Sequence, residues 1–275
     1  MIDLLTITNQ PELAASCDTM PGMRLFVDLE RNGKAARQKG LNTFISTHEL
    51  KDVGRIRAVL KRSKLLVRVN PFQTHDPDAS KAEIDAVLGE GADLLMLPMF
   101  SSADELHGFA KAVAGRVPFV PLLETAGALQ TMDSWIDTPN IHEVFVGLND
   151  LHLSLGCSFM FEPLMLGHVD HVAKAATSRG LRFGFGGIAR MDEGSLPGRA
   201  VLAEHVRLGS SAVILSRSFN RPDADMSHAS FEDAVADLRL AEQQLATRAP
   251  QQTEADRLRT TALITALAEK TVASV

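Results

Sequence analysis

The chain has 275 residues, a length that suits one large α/β domain. With 45% hydrophobic residues, 23% charged residues and a formal net charge of −6, it can bury a sizeable core but has no basic field suited to nucleic acid. No apolar run approaches the roughly 18 to 20 residues that cross a bilayer, and Asp3 stands where a secretory leader carries positive charge, so a soluble, cytoplasmic protein is expected.

Short β-branched or leucine-rich runs alternate with helix-like segments, the pattern of a parallel sheet with helical crossovers. Residues 1–22 read as an N-terminal lead-in. The apolar runs that follow are Leu25 to Leu29, Asn42 to Ile45, Leu65 to Val69, Leu94 to Leu97, Phe119 to Leu123, Val144 to Gly147, Phe183 to Phe185 and Ala212 to Leu215. These eight runs predict a closed (β/α)₈ TIM barrel over residues 23–221. Ser46 with Glu49, and Ser102 with Glu105, fit capping boxes at helix starts, and Leu106, Phe109 and Val113 form one apolar stripe.

After Pro222 the pattern becomes a long polar helix containing Phe231, Val235, Leu238 and Leu245, then Pro250 and a further stretch with Leu258, Leu263 and Leu267. Part of this extension, residues 222–275, closes the barrel. The remainder exceeds what one barrel needs, so a homo-oligomer contact is expected there, with a solvated tail as the alternative. Cys17 and Cys157 are far apart, with no CxxC or Cys/His spacing, and read as reduced, inert thiols.

Barrel enzymes build their sites at the C-terminal ends of the strands, so polar residues that end an apolar run are the candidates. Asp28 and Glu30 end the first run in LFVDLE, Arg68 the third in LLVRVN, and Glu124 the fifth in PLLETAG; Asp150 follows the sixth in VGLNDLHLSLG. Converging carboxylates repel unless a hard cation such as Mg²⁺ or Mn²⁺ lies between them, which makes Glu124 and Asp150 candidate metal ligands. The planar guanidinium of Arg68 suits a substrate carboxylate or enolate oxygen. The plainer alternatives are helix N-capping for Glu124 and Asp150, and ion pairs with Arg31, Lys34 or Arg37 for Asp28 and Glu30. His48 is a candidate acid or base, or else an exposed first-turn residue. Gly186 and Gly187, in GFGGIAR, are candidate substrate-binding backbone at the end of the seventh run, or serve only tight packing.

These motifs resemble the HpcH/HpaI aldolase and citrate lyase β-subunit superfamily. VDLE followed by Lys34 and Arg37 is similar to the DLED…K…R segment of citrate-lyase-like members, and LLVRVN, LLMLPMFSSADEL, PLLETAGAL and VGLNDLHLSLG follow in the family's order, over roughly Met23 to Phe219. The resemblance implies a TIM barrel that binds Mg²⁺ or Mn²⁺ through Glu124 and Asp150 and substrate through Arg68. It also implies an aldolase or carbon–carbon lyase that forms an enolate from a 2-oxo acid such as pyruvate. One alternative is a lyase of malyl, citramalyl or citryl thioesters of coenzyme A, with Arg190 and Arg199 as candidate phosphate contacts; another is a non-catalytic barrel that serves as a binding subunit. Arg31 stands in place of the second acid of DLED, so that acid's role is absent or falls to Asp28 and Glu30.

Overall fold

The computed structural model describes residues 1–32, 47–216, 219 and 228–273. Eight parallel strands follow one another in hydrogen-bonded order and close into a barrel. They are β1 (Asp3–Ile7), β2 (Met23–Asp28), β3 (Leu65–Arg68), β4 (Leu94–Leu97), β5 (Phe119–Leu123), β6 (Glu143–Val146), β7 (Arg182–Ile188) and β8 (Ala212–Leu215). The expected TIM barrel is therefore present, with one change of membership. The first strand lies inside the segment read as a lead-in, where Leu4 and Leu5 are fully buried. The run Asn42 to Ile45 falls outside the described residues, as do Lys34, Arg37 and Ser46.

The described helices are α1 (Pro11–Thr19), α2 (Leu50–Val59), α3 (Pro77–Gly89), α4 (Ala103–Val113), α5 (Ala126–Gln130), α6 (Met132–Trp135), α7 (Leu148–Ser154), α8 (Glu162–Met165), α9 (His168–Thr177), α10 (Gly198–Leu208), α11 (His228–Ala246) and α12 (Pro250–Ala273). Ser102 caps α4 as its sequence suggests, accepting the Glu105 N–H at 3.3 Å, and Leu106, Phe109 and Val113 are buried. Helix α2 is capped differently from the expectation. Asp52 accepts the Glu49 N–H at 2.9 Å, so the box begins at Glu49. The cysteines are free thiols, Cys17 buried and Cys157 half-buried.

The chain divides into two compact units, Leu5–Phe145 and Met1–Leu4 with Val146–Val275. In the first unit the period-two geometry of β2 puts Arg24, Phe26 and Asp28 on one face. Arg24 meets Glu143 at the start of β6 through two hydrogen bonds of 3.0 and 3.2 Å, and both side chains are buried. Asp18, at the end of α1, accepts the backbone N–H groups of Lys61, Arg62 and Ser63 at 2.6 to 3.0 Å, which ties that helix to the turn before β3.

In the second unit, α11 buries Phe231, Val235, Leu238 and Leu245, and Phe231 stands edge-on to Phe219 at 5.8 Å. Helix α12 buries Ile264 but leaves Leu258 54% and Leu263 45% exposed. Residues 1–4 join this unit: Glu242 accepts the Ile2 N–H at 2.7 Å, and Arg239 donates to the Ile2 carbonyl at 2.7 Å. His205, on α10, is fully buried and stacked on Phe185 at 3.8 Å; burial pushes its pKa down to about 3, so it is neutral.

Two consequences for stability follow. Glu143→Gln should destabilise the protein by about 3–5 kcal/mol, because it removes the buried negative charge that faces the Arg24 guanidinium, whereas replacing Arg24 and Glu143 together by Met and Leu should cost far less. Urea titrations of the single and double variants check this, and equal losses would show that the pair has no such coupling. For Asp18, burial acts to raise the carboxyl pKa, but hydrogen bonds from Ser63, Lys61 and Arg62 outweigh it and hold the group below its ordinary value. Its contribution is then full above about pH 4 and fades as pH falls through the lower folded value. Asp18→Asn should accordingly lose about 2 kcal/mol at neutral pH. Its deficit against the native chain should narrow in acid, as thermal melts from pH 7 to pH 2 would reveal.

Candidate active site

The site in the first unit is built by strand register. β2 and β3 pair in parallel with Asp28 opposite Arg68, so both side chains leave the sheet on the same side at the same height. Arg68 donates from Nε to Asp28 Oδ1 at 2.8 Å and from Nη2 to Asp28 Oδ2 at 2.7 Å, the planar two-point contact that only arginine makes. Glu30 Oε2 lies 3.4 Å from the same Nε, and the Phe26 ring lies 5.7 Å from Cζ. Burial opposes the charge on Arg68, but Asp28, Glu30 and Glu124 outweigh it and raise the guanidinium further above its ordinary value. Arg68 therefore stays charged at any pH the fold survives.

The turn after β2 is pinned by neighbours that the sequence did not single out. Asn70 Oδ1 accepts the backbone N–H groups of Arg31 and Asn32 at 2.8 and 2.9 Å. The Asn70 side-chain amide donates to Glu83 at 2.7 Å. Burial pushes the Glu83 carboxyl up, against the hydrogen bonds from Asn70. Arg31, which replaces an acid of the motif, donates to the His48 carbonyl at 2.8 Å. His48 is buried rather than exposed, and its Nδ1 accepts the Asp28 backbone N–H at 3.1 Å. That bond requires a bare Nδ1, so the neutral ring carries its proton on Nε2, where it can donate but not accept.

Glu124 is buried just beyond β5, and its Oε1 accepts the Met99 backbone N–H at 3.0 Å. The capping alternative does not hold for Glu124. Thr125 takes that duty, accepting the Ala128 N–H at 3.0 Å while donating to the Phe100 carbonyl at 2.7 Å. Met99 itself has φ 54°, in the left-handed region that side chains other than glycine rarely enter. Neither Met99 nor Thr125 was found from sequence, although a threonine directly ahead of a helix is a legible capping signal.

In the second unit Asp150 lies in the first turn of α7, whose N-cap is Gly147, so Asp150 is not the cap residue either. Gly186 has φ 53° at a bulge in β7. A Cβ there would stand 2.9 Å from Leu148 Cδ1, so this glycine lets β7 pack against the first residue of the turn that carries Asp150. A Cβ added at Gly187 would stand 3.6 Å from the Ile214 carbonyl oxygen, an ordinary contact, so packing alone does not require glycine there. Arg190 donates to the Phe219 carbonyl at 3.4 Å, and Arg199 to Gln244 at 3.1 Å.

Asp28, Glu30 and Glu124 are thus gathered around one guanidinium, and Asp28 is committed to it through both oxygens. Buried carboxylate oxygens of this kind suit a hard divalent cation, which commonly takes one or two protein carboxylates and fills its other positions with water or substrate. Among the described residues, no group of three or more His, Cys, Asp or Glu side chains is arranged to hold a metal by itself. No described helix is long and apolar enough to cross a membrane.

Residues 4–184 match the family model described as HpcH/HpaI aldolase/citrate lyase. Among solved structures, the chain is similar to an HpcH/HpaI aldolase/citrate lyase family protein from Burkholderia cenocepacia J2315, with 17% identity, TM-score 0.59, and coverage of 88% of this chain and 94% of that one. It is also similar to an HpcH/HpaI aldolase from Desulfitobacterium hafniense DCB-2, with 14% identity, TM-score 0.58, and coverage of 90% and 94%. At such identities these two structures bear on the fold alone. Among curated proteins, none matches the chain. The family model spans well over half of the sequence and includes Asp28, Arg68 and Glu124, so this chain belongs to the HpcH/HpaI aldolase/citrate lyase family, whose membership supports a lyase-type enzyme.

Proposed function

We propose that the chain is a divalent-metal-dependent carbon–carbon lyase or aldolase that forms or cleaves a bond next to a 2-oxo acid by way of its enolate. The observation that carries this reading is Arg68, clamped by both oxygens of Asp28 and drawn upon by Glu30 and Glu124. Nε and Nη2 are turned toward Asp28, which leaves Nη1 to meet a substrate oxygen. A guanidinium fixed in advance needs no reorganisation when negative charge develops on that oxygen. Asp28, held by Arg68 and by the Glu30 N–H at 3.2 Å, is a positioning group and a poor base. His48 is protonated on Nε2 and fits a donor better than a base. We assign the transferred proton to Glu30, whose contact with Arg68, at 3.4 Å, is looser than that of Asp28. Glu124 supplies the metal carboxylate in this unit, and the sequence motif alone puts forward Asp150 as the second. Bound Mg²⁺ or Mn²⁺ would supply a Lewis acid for the carbonyl oxygen of the 2-oxo acid.

Pyruvate in D₂O with Mg²⁺ should exchange its methyl protons when the enzyme is added, seen as a fading methyl signal in proton NMR. A chelator should stop the exchange, Glu124→Gln and Asp150→Asn should lose it, and Arg68→Ala should slow it by about 10²–10³-fold. Exchange of acetyl-CoA protons with pyruvate left intact would instead indicate a thioester lyase. Exchange of neither, with metal binding confirmed, would indicate a binding subunit and sink the proposal.

We also propose that the chain assembles with copies of itself, supported by the exposed Leu258 and Leu263 on α12. Deleting the whole extension is a poor test, because α11 buries Phe231 and Leu238 in its own unit. The double variant Leu258→Ser, Leu263→Ser should lower the particle mass in light scattering while the melting temperature is largely kept. A mass identical to that of the native chain would remove these leucines from any interface.

A further inference from the structure

We infer that Met99 is a positioning residue for Glu124: its left-handed backbone is kept because it lets a peptide N–H meet one carboxylate oxygen and so holds the orientation in which Glu124 faces the bound cation. The inference deepens, and rests on, the metal-dependent reading of the same site. Its structural part, the tie between Met99 and Glu124, stands separately.

Residues 99–101 lie on residues 124–127 at three consecutive points. The Met99 N–H meets Glu124 Oε1 at 3.0 Å, the Phe100 carbonyl accepts from Thr125 Oγ1 at 2.7 Å, and a Cβ on Gly127 would stand 2.5 Å from the Ser101 carbonyl oxygen. Two of these points are typical of turn packing; the first ends on a buried carboxylate whose charge is felt at Arg68. The segment is stiff. Pro98 precedes Met99, and Phe100 is fully buried edge-on to Trp135 at 5.1 Å, with the indole N–H donating to the Ala128 carbonyl at 2.9 Å.

A methionine at φ 54° persists only where its surroundings over-determine it, and such outliers gather at functional sites. Glycine would adopt the same turn without strain and present the same N–H, which makes it the control for the backbone's part. What the strained backbone achieves is a turn at residue 99 that lets its N–H meet Glu124 while the chain after it lays the Phe100 and Ser101 carbonyls against Thr125 and Gly127. A carboxylate gripped at Oε1 by a peptide N–H cannot swing, and its charge stays directed toward Arg68 and the substrate oxygens. Partners one step behind a metal ligand act in this way, and their loss typically weakens metal affinity by about 10- to 100-fold.

The test uses the full chain labelled with ¹⁵N-methionine and has two arms. In metal-free protein, the Met99 amide should be protected from solvent exchange, and Glu124→Ala should speed its exchange by about tenfold or more. Separately, Mn²⁺ affinity should fall about 10-fold or more in Met99→Val, whose branched side chain resists the left-handed region, and stay within about twofold of native in Met99→Gly. Thermal melts show that each variant is folded. An unchanged Met99 exchange rate in Glu124→Ala overturns the inference. So does native Mn²⁺ affinity in Met99→Val when Glu124→Gln has lost binding. If Glu124→Gln binds Mn²⁺ normally, the metal reading fails instead, and the amide arm alone decides whether Met99 holds Glu124.

Discussion

The pairing register of β2 and β3 is the constraint on which the candidate site depends. Opposing Asp28 to Arg68 across a parallel ladder places two opposite charges side by side where the strands end. A slip of one residue would turn every side chain of one strand to its other face. Arg68 would then lose Asp28 and Glu30, and Phe26 would no longer lie beneath it. The register is in turn secured by the fully buried Leu25, Phe26, Val27, Leu65, Leu66 and Val67. Ordinary apolar packing therefore fixes the position of the charged group proposed to meet the substrate.

Around that pair, the protein uses side chains and strained backbone to stop carboxylates from moving. Asp28 is held by Arg68 and by the Glu30 amide, and Glu124 by the Met99 amide. Arg31 shows how a changed motif residue can be absorbed. In place of an acid it presents a guanidinium that clasps the His48 carbonyl, and His48 in turn receives the Asp28 N–H. The substitution thus adds a link to the frame behind Asp28.

What could be read in the sequence was whatever depends on local pattern. The leucine and valine runs of β3, β4, β5 and β8 mark themselves, and polar residues ending such runs identify Asp28, Arg68 and Glu124 as candidates. β1 does not mark itself, because DLLTI is a short run near the start of the chain and is followed directly by a helix signal at Pro11. The division of labour between Glu124 and Thr125 was open because both residue types can begin a helix, and only the hydrogen bonds decide. Nothing in the letters LPMF marks a left-handed methionine, since its conformation is imposed by residues at the end of another strand. Asn70 and Glu83 were likewise invisible, because their importance lies in a turn 38 or 39 residues away from Asn70.

The placement of residues 1–4 bears on how the chain reaches this fold. Ile2 is fastened by Glu242 and Arg239 of α11, and Asp3 donates its N–H to the Ser211 carbonyl and receives Arg182. These partners are at least 179 positions away in sequence. One edge of β1 can pair early, since Thr8 donates to Phe26 of β2, but the groups of Ile2 and Asp3 stay hydrated until residues 182–242 have been made. Contacts of such long separation close slowly, because the loop entropy is lost before the reward arrives. A strand edge that waits in this way is a natural substrate for chaperones and a natural seed for aggregation.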